Sequence, residues 1–302
     1  MSPSDSANNP PAAAHAEFEL KVHDGTADES APTDESNGEA GHIDTMPQHL
    51  SFNRFIISSY RPYPLSACKC FWSMAQIHNE TGAIYSHLLP LMIALVACGD
   101  PWGSEHATYY TQMGLICMVF AGSVTYHTLM PMQSAKVYNI LLMVDYAGIW
   151  LLLTVLPQLT IIRWGLEECS DTTRYSIHAA YAASSLTSLC ILMFPVIVHG
   201  DPGTALQRLM ALALQFIARI VLYILRASLS CGRTSALKYY GAMELLSLIG
   251  GAVNAARIPE RWCSGQLDVA INSHQLMHVL VTGALCVLWF ATKEDFNVHS
   301  DA

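Results

Sequence analysis

The stretch VAINSHQLMHVLVTGALCVLWFAT, residues 269–292, contains no Lys, Arg, Asp or Glu. A helix of this length is sufficient to cross a hydrocarbon core of ~30 Å, which takes about 20 residues. The stretch nevertheless keeps His274 and His278, which are four residues apart and therefore lie on one helix face, with Cβ atoms roughly 5–6 Å apart. An apolar helix that carries two neighbouring imidazoles predicts a membrane span with a binding function.

The same exclusion of charge recurs along the chain. Only 13% of the residues are charged and 52% are hydrophobic, whereas a typical soluble domain has about 25% charged residues. Further apolar runs lack the period-2 alternation of a transmembrane barrel and are long enough, or nearly so, to span as helices. These runs are residues 82–99, 108–130, 138–162, 175–198, 206–226 and 238–256. The sequence therefore predicts an all-α membrane protein, a seven-transmembrane helix bundle over residues 81–295.

The net charge of the chain belongs to its N-terminal part. Residues 1–50 contain ten acidic residues and one basic residue, which gives −9, the charge of the whole chain. This segment has too few apolar residues to offset the entropy of ordering, so we expect a disordered acidic tail. Its charge argues against nucleic acid as a partner. Residues 51–80 mix aromatic, apolar and basic residues, which predicts a juxtamembrane interfacial segment, and residues 296–302 are expected to form a short C-terminal tail.

The nine cysteines include no CxxC pair, and several lie inside apolar runs. This distribution predicts neither a disulfide framework nor a thiolate metal site.

Polar residues within or beside the apolar runs gather at one depth. In an alternating topology, the starts of odd-numbered spans and the ends of even-numbered spans lie on the N-terminal side. The polar residues at such positions are Glu80, His87, Ser123, His127, Asp145, His274 and His278. Independent packing residues would have no need to share one leaflet. The orientation itself is undecided by the positive-inside rule, because seven Lys and Arg residues flank the bundle on the N-terminal side and six on the other.

The histidine spacing predicts a metal site. His274 and His278, together with His127 of the second run, would supply three nitrogens and leave a fourth position open for water. That pattern is typical of catalytic rather than structural zinc. Ser123 shares a helix face with His127, and Asp145 is an ionisable residue within a span, which costs about 2.5–3.5 kcal/mol and marks a functional candidate. We therefore expect a metal ion on the three histidines, and Asp145 could orient or deprotonate a water bound to it.

Two further charged residues lie inside predicted spans. Arg219 is in the fifth run and Glu244 in the sixth, at similar depths in antiparallel helices. An ion pair between them is the simpler expectation. The alternative is that Arg219 binds the carboxylate of a lipid.

Five short motifs carry a family resemblance. They are NETGAIYSHLLP (79–90), SVTYH (123–127), VDYAGI (144–149), PERW (259–262) and SHQLMH (273–278). In this order they resemble the progestin and adipoQ receptor family, which is related to the haemolysin III proteins. The segment RPYPLSACKCFWSMAQIHNETG (61–82) resembles the adiponectin-receptor and fungal branch in particular. The resemblance covers about residues 60–295 and omits the acidic tail.

The resemblance implies a fold and a chemistry. It implies seven helices, a cytosolic N-terminus, an external C-terminus and zinc held by His127, His274 and His278, with Ser123 and Asp145 beside the metal. Adiponectin receptors and related alkaline ceramidases imply hydrolysis of the ceramide amide to a sphingoid base and a fatty acid. Fungal relatives are linked to zinc and sterol homeostasis.

The chain departs from the receptor-like motif at three positions. Ala83 replaces an asparagine, Tyr85 replaces a tryptophan, and Pro90 stands where glycine is usual. None is an expected metal ligand, so the departures bear on lipid specificity. His87, in the same motif, is interpreted as a structural residue.

Two functional hypotheses follow. The first is a zinc-dependent intramembrane lipid amidohydrolase, ceramidase-like, that acts on ceramide or another sphingolipid, releases free fatty acid, and is coupled to lipid and metal homeostasis. The alternative is a non-enzymatic seven-helix receptor or homeostasis regulator with a structural zinc and an extracellular ligand. Either would be a multi-pass protein of the plasma membrane or the endoplasmic reticulum.

Overall fold

The computed structural model describes residues 41–96 and 105–300, with side chains up to Asn297. Apart from two isolated β-bridges, regular structure in this part of the chain is helical. The helices are α1 (Ala67–Ser73), α2 (Thr81–Val96), α3 (His106–Leu129), α4 (Ala135–Pro157), α5 (Asp171–His199), α6 (Ala205–Ser228), α7 (Leu237–Ala256) and α8 (Ser273–Ser300). A π-helical turn, Gln158–Ile162, extends α4. Residues 1–40 of the predicted disordered tail lie outside the described residues.

The long helices match the apolar runs of the sequence. Four stretches combine the length and the hydropathy needed to cross a membrane, namely Ala135–Ile162, Asp171–His199, Ala205–Ser228 and Ser273–Asn297. The apolar helix α2 is shorter. Each of the predicted runs corresponds to one helix, from α2 to α8. The expectation of an all-α, multi-pass membrane protein is confirmed, whereas the count of seven crossings stays a prediction.

Polar side chains fix several helix ends. Ser134, Ser170 and Thr204 each accept a hydrogen bond from the backbone N–H three residues later, at the first turns of α4, α5 and α6. These bonds satisfy amide groups that a helix start otherwise leaves without partners. At the end of α5, Gly200 adopts a left-handed conformation with φ of 72°, which glycine accommodates without steric cost.

Two glycines let α3 and α4 approach closely. A Cβ atom at Gly148 of α4 would lie 3.2 Å from the backbone of Val119 on α3. A Cβ atom at Gly122 of α3 would lie 3.4 Å from the Cα atom of Asp145 on α4. Because both contacts involve backbone, this pair of helices is held in one register, with Asp145 beside the last turns of α3.

A disulfide joins two loops at the other end of the bundle. Cys169, before α5, is bonded to Cys231, after α6. The expectation of no disulfide was therefore wrong. The two cysteines are 62 residues apart, so spacing rules for nearby pairs cannot detect a bond that depends on two loops meeting in space.

Buried charged residues stabilise the end of the bundle that carries the disulfide. The Arg226 guanidinium, on α6, donates to both carboxylate oxygens of Asp295, on α8. The Tyr240 hydroxyl of α7 donates to the same carboxylate at 2.9 Å. The guanidinium also donates to the backbone carbonyl of Arg233 in the α6–α7 loop. A buried charge is tolerated where it is paired and hydrogen-bonded in this way.

A segment that we call the cap, residues 41–66, packs against the loop before α8. The Asp268 carboxylate accepts hydrogen bonds from the backbone N–H groups of Ile57 and Ser58, at 3.1 and 2.7 Å. The Asn53 amide donates to Glu260 at 3.0 Å. The cap includes residues 41–50, which the sequence analysis assigned to the acidic tail, and Leu50 within it is buried.

Candidate metal centre

Three histidines converge where α3 ends and α8 begins. The Nε2 atoms of His127 and His274 are 3.2 Å apart, and ring nitrogens of His127, His274 and His278 all lie within 4.8 Å of one another. Nitrogens that share one tetrahedral zinc ion, with bonds of 2.0–2.1 Å, are separated by about 3.3 Å. The structure thus brings together the three residues that the sequence predicts as ligands, at distances at which they can hold one metal ion.

A carboxylate fixes the ring of His127. The Glu80 Oε2 atom, just before α2, lies 2.8 Å from Nδ1 of His127. Burial opposes ionisation of Glu80, but the hydrogen bond from His127 holds the pKa of this carboxyl well below its usual range. An ionised carboxylate only accepts hydrogen bonds, so Nδ1 carries the proton and the lone pair of the ring is at Nε2. Metal-binding histidines almost always have such a partner.

A carbonyl fixes the ring of His278 in a similar way. Its Nδ1 atom lies 3.2 Å from the Ala83 carbonyl oxygen and 3.1 Å from the Ser86 hydroxyl, both on α2. Because a carbonyl only accepts, Nδ1 of His278 is the protonated nitrogen. Both rings therefore direct an unprotonated Nε2 away from their hydrogen-bond partners, which fits a metal-binding role.

Arg61 of the cap holds the end of α3. Its guanidinium donates to the carbonyl oxygens of His127 and Thr128, at 2.6 and 2.8 Å. The last carbonyls of a helix lack intrahelical partners and carry partial negative charge, which a cation stabilises. Arg61 is itself 5% exposed, so the cap and the His127 backbone form one buried unit.

The two predicted catalytic residues lie on the neighbouring helices α3 and α4. Ser123 is one turn before His127 on α3, is 1% exposed, and its hydroxyl has no hydrogen-bond partner among the described residues. Asp145 is placed beside this part of α3 by the close approach of Gly122 to α4. The positions are compatible with the predicted roles, which stay predictions.

His87 lies beside the three histidines without joining them. Its ring stacks on that of His278, with centroids 3.9 Å apart and an interplanar angle of 6°. The group of three that can share a metal does not include it, in agreement with its interpretation as a structural residue.

Glu260 joins the cap to the start of α8. It accepts hydrogen bonds from the Ser273 backbone N–H, at 2.7 Å, and from the Ser273 hydroxyl. Burial alone would raise the pKa of Glu260, but these bonds and that from Asn53 lower it. The helix that carries His274 and His278 is thus anchored at its first residue by an ionised side chain.

Comparison with known proteins identifies the family. The sequence model of the haemolysin-III related family matches residues 75–289. The chain belongs to this family. The match contains the residues of the candidate metal centre, so the family region and the three-histidine site coincide.

Relatives within the family carry receptor names. The chain is 36% identical over 253 residues to human progestin and adipoQ receptor family member 4, covering 81% of this chain and 88% of that protein. It is 26% identical over 274 residues to the adiponectin receptor protein of Drosophila melanogaster, covering 86% and 60%. A fungal relative, the ADIPOR-like receptor IZH1 of Eremothecium gossypii, is 26% identical over 265 residues, covering 81% of each chain. The predicted family membership is confirmed.

Sequence reasoning missed the groups that orient the ligands. Glu80 was recognised only as a polar residue of the same leaflet, and the contacts of Arg61 and Glu260 were not anticipated. The signal available for Glu80 was its place in the NETG motif, one residue before α2. Glu260 lies in the PERW motif and Arg61 begins the family-like segment 61–82, but neither motif indicates which distant backbone the side chain contacts.

Proposed function

We propose that the protein is a zinc-dependent intramembrane lipid amidohydrolase with seven membrane-crossing helices. The observation that carries this proposal is the convergence of three imidazoles, with Nε2 atoms of His127 and His274 3.2 Å apart. Glu80 and the Ala83 carbonyl support it, because both fix the protonated nitrogen of a ring on the side away from the site. His127, His274 and His278 would hold the zinc.

The substrate is an amide of a long-chain fatty acid, ceramide or another sphingolipid, reached from within the bilayer. When bound by the three histidines, zinc would act as a Lewis acid that polarises the amide carbonyl and makes water more acidic. Asp145 accepts a proton from the attacking water while the water oxygen forms a bond to the carbonyl carbon. It then gives the proton to the leaving nitrogen as the C–N bond breaks. The Ser123 hydroxyl donates a hydrogen bond to the developing oxyanion.

Release of fatty acid from ceramide by the purified protein tests this proposal. Asp145→Asn should lower the rate by at least about a hundredfold, since general acid–base catalysis contributes about 10²–10⁴-fold, and zinc should stay bound at wild-type stoichiometry. Asp171→Asn is the matched control, because this carboxylate is exposed at the start of α5, and it should keep full activity. Equal rates in Asp145→Asn and the wild type would exclude the catalytic role.

A receptor with a structural zinc is the second candidate. The names of the relatives, among them an adiponectin receptor protein, favour it. In that case the purified, zinc-loaded protein would release no fatty acid from ceramide. Removal of zinc would lower the stability of the protein and have no effect on catalysis.

The disulfide supports an orientation with the metal centre on the cytosolic side. Disulfides persist in oxidising compartments and are rare in the cytosol, so the loops that carry Cys169 and Cys231 would face the lumen or the exterior. With alternating crossings, the cap and the three histidines then lie at the opposite face. The compartment would be the plasma membrane or the endoplasmic reticulum. A membrane-impermeant reductant added to intact cells should open the disulfide only if these loops are external.

A further inference from the structure

The imidazole of His87, on α2, covers one face of the His278 ring. The two ring centroids are 3.9 Å apart and the ring planes differ by only 6°. Rings in this arrangement are in van der Waals contact across their faces, because carbon atoms make optimal contact at about 3.5–4.0 Å. Rotation of the His278 ring about its Cβ–Cγ bond would drive a ring edge into His87. The stack therefore restrains the direction in which the Nε2 lone pair of His278 points.

This restraint acts on the ligand that has the weaker hydrogen bond. Nδ1 of His127 lies 2.8 Å from the Glu80 carboxylate, whereas Nδ1 of His278 lies 3.2 Å from the uncharged carbonyl oxygen of Ala83. Hydrogen bonds to a charged group are roughly twice as strong as those between neutral groups. The aromatic contacts of His127 are tilted or edge-on. The parallel stack thus belongs to His278, whose hydrogen bond alone restrains its ring less.

His87 is itself fixed between the two helices that supply the predicted ligands. It is 4% exposed. Its ring also contacts the ring of Phe120 on α3, with centroids 5.2 Å apart and an interplanar angle of 58°. Phe120 lies about two helical turns before His127 on the same helix. A buried ring with close neighbours on both α3 and α8 has little room to turn away from His278.

A metal ion on His278 would strengthen the stack. Coordination of a divalent cation draws electrons out of an imidazole, and the face of a neutral aromatic ring is its negative part. The electron-poor ring is then attracted to the face of His87, as a cation is attracted to an aromatic face. A contact that stabilises the metal-bound form more than the metal-free form raises the affinity for the metal.

We propose that His87 is a positioning residue, which holds His278 in its metal-binding orientation by stacking on its ring. The proposal rests on the metal binding of the proposed function and is independent of the hydrolytic step. The property required at this position is a flat aromatic face, and not a ring nitrogen. Phenylalanine has the face without the nitrogen, and asparagine has a hydrogen-bonding nitrogen without the ring. The two substitutions therefore separate stacking from hydrogen bonding or metal ligation by His87.

Zinc affinity of the purified full-length protein in lipid nanodiscs, measured by competition with a chelator of known affinity, tests the proposal. His87→Phe should bind zinc within about twofold of the wild type, because the aromatic contact is kept. His87→Asn should bind about three- to tenfold more weakly, the change that corresponds to the usual contribution of an aromatic pair. His178→Asn is the control, since it makes the same change on α5, which supplies no residue of the three-histidine group. It should keep the wild-type affinity.

Cobalt in place of zinc gives a second readout. The visible absorption of Co²⁺ depends on the arrangement of its ligands, so a turned His278 ring changes the spectrum of a fully folded protein. The spectrum of His87→Phe should match that of the wild type, and the spectrum of His87→Asn should differ. A role in packing alone would lower the melting temperature of His87→Asn and leave its zinc affinity and its cobalt spectrum unchanged.

The opposite pattern would overturn the proposal. Wild-type affinity and spectrum in His87→Asn would show that the stack does not matter. A loss of zinc in His87→Phe as large as in His274→Ala would make His87 a ligand. Either variant decides the matter where the other does not fold.

Release of fatty acid from ceramide, measured on the same samples, keeps the hydrolase separate. The expected zinc affinities without any release of fatty acid would overturn the hydrolase and support the positioning role. Release of fatty acid by a wild-type protein whose zinc affinity is unchanged in His87→Asn would support the hydrolase and overturn the positioning role. A wild-type protein that binds no zinc would overturn both.

Discussion

The Glu80 carboxylate and the His127 imidazole form a buried pair, with Oε2 and Nδ1 2.8 Å apart, at the meeting point of α2 and α3. Arg61 contacts the same site from the cap, because it donates to the His127 carbonyl. One predicted ligand is thus fixed at its ring and at its backbone by two residues from other parts of the chain. Contacts that fix a ligand in place lower the cost of binding a metal ion.

Glu80→Gln should weaken zinc binding by about 10–100-fold, the usual effect of removing a group that orients a metal-binding histidine. The amide keeps the size of the side chain but loses the charge that favours a protonated Nδ1. Competition with a chelator of known zinc affinity measures the change. Glu168→Gln is the control, since this carboxylate is exposed at the opposite end of the bundle. Unaltered zinc affinity in Glu80→Gln would contradict the assigned role.

Apolar length and helical spacing account for what could be predicted. Each apolar run could be predicted as a helix because about 20 consecutive apolar residues have few alternatives to a membrane helix. His274 and His278 could be predicted as ligands from their spacing of four residues. His127 was added because an alternating topology places it on the same side of the membrane. The contact that orients His127 could not be predicted, because Glu80 and His127 are 47 residues apart in the sequence. The disulfide could not be predicted for the same reason, since Cys169 and Cys231 are 62 residues apart. Such contacts follow from how loops meet, which local patterns do not encode.

Gly148→Ala should destabilise the bundle by about 1–3 kcal/mol, the usual cost of overpacking. The added methyl group would meet the α3 backbone at Val119 and separate α3 from α4. Gly114→Ala is the control, because a Cβ at that position would have no atom within 4 Å apart from its chain neighbours and the backbone of its own helix. In that open position alanine should be neutral or slightly stabilising. Thermal unfolding in detergent compares the two variants, and equal melting temperatures would contradict the close contact.

The predicted ion pair between α6 and α7 is confirmed. Arg219 donates to both carboxylate oxygens of Glu244, at 2.5 and 2.9 Å, and the Tyr223 hydroxyl donates to the same carboxylate at 3.0 Å. Glu244→Gln should cost about 3–5 kcal/mol, because it leaves a buried guanidinium without its counter-charge. Exchange of the two residues, Arg219→Glu with Glu244→Arg, should recover part of that loss in the same unfolding assay. A double variant no more stable than either single exchange would argue against a pair.

His78, between α1 and α2, should make stability fall in mild acid. Burial, together with the nearby Arg61 guanidinium, lowers the pKa of this imidazole to about 4. Its Nδ1 accepts the backbone N–H of Glu80 at 3.1 Å, so a proton at this nitrogen breaks the hydrogen bond.

The direction follows from the lowered pKa. His78 binds a proton near pH 6.5 in the unfolded chain but only near pH 4 in the folded protein. Its contribution to the free energy of unfolding is therefore complete above pH 6.5 and is lost as the pH falls toward 4. The loss should reach about 3 kcal/mol, because each unit between the two pKa values corresponds to about 1.36 kcal/mol. His78→Asn keeps an acceptor for the Glu80 N–H but does not titrate. Melting temperatures of the two proteins should therefore run parallel above pH 7, and only the wild type should show this added decline between pH 6.5 and 4. Parallel curves throughout would mean that His78 is already protonated or does not contribute.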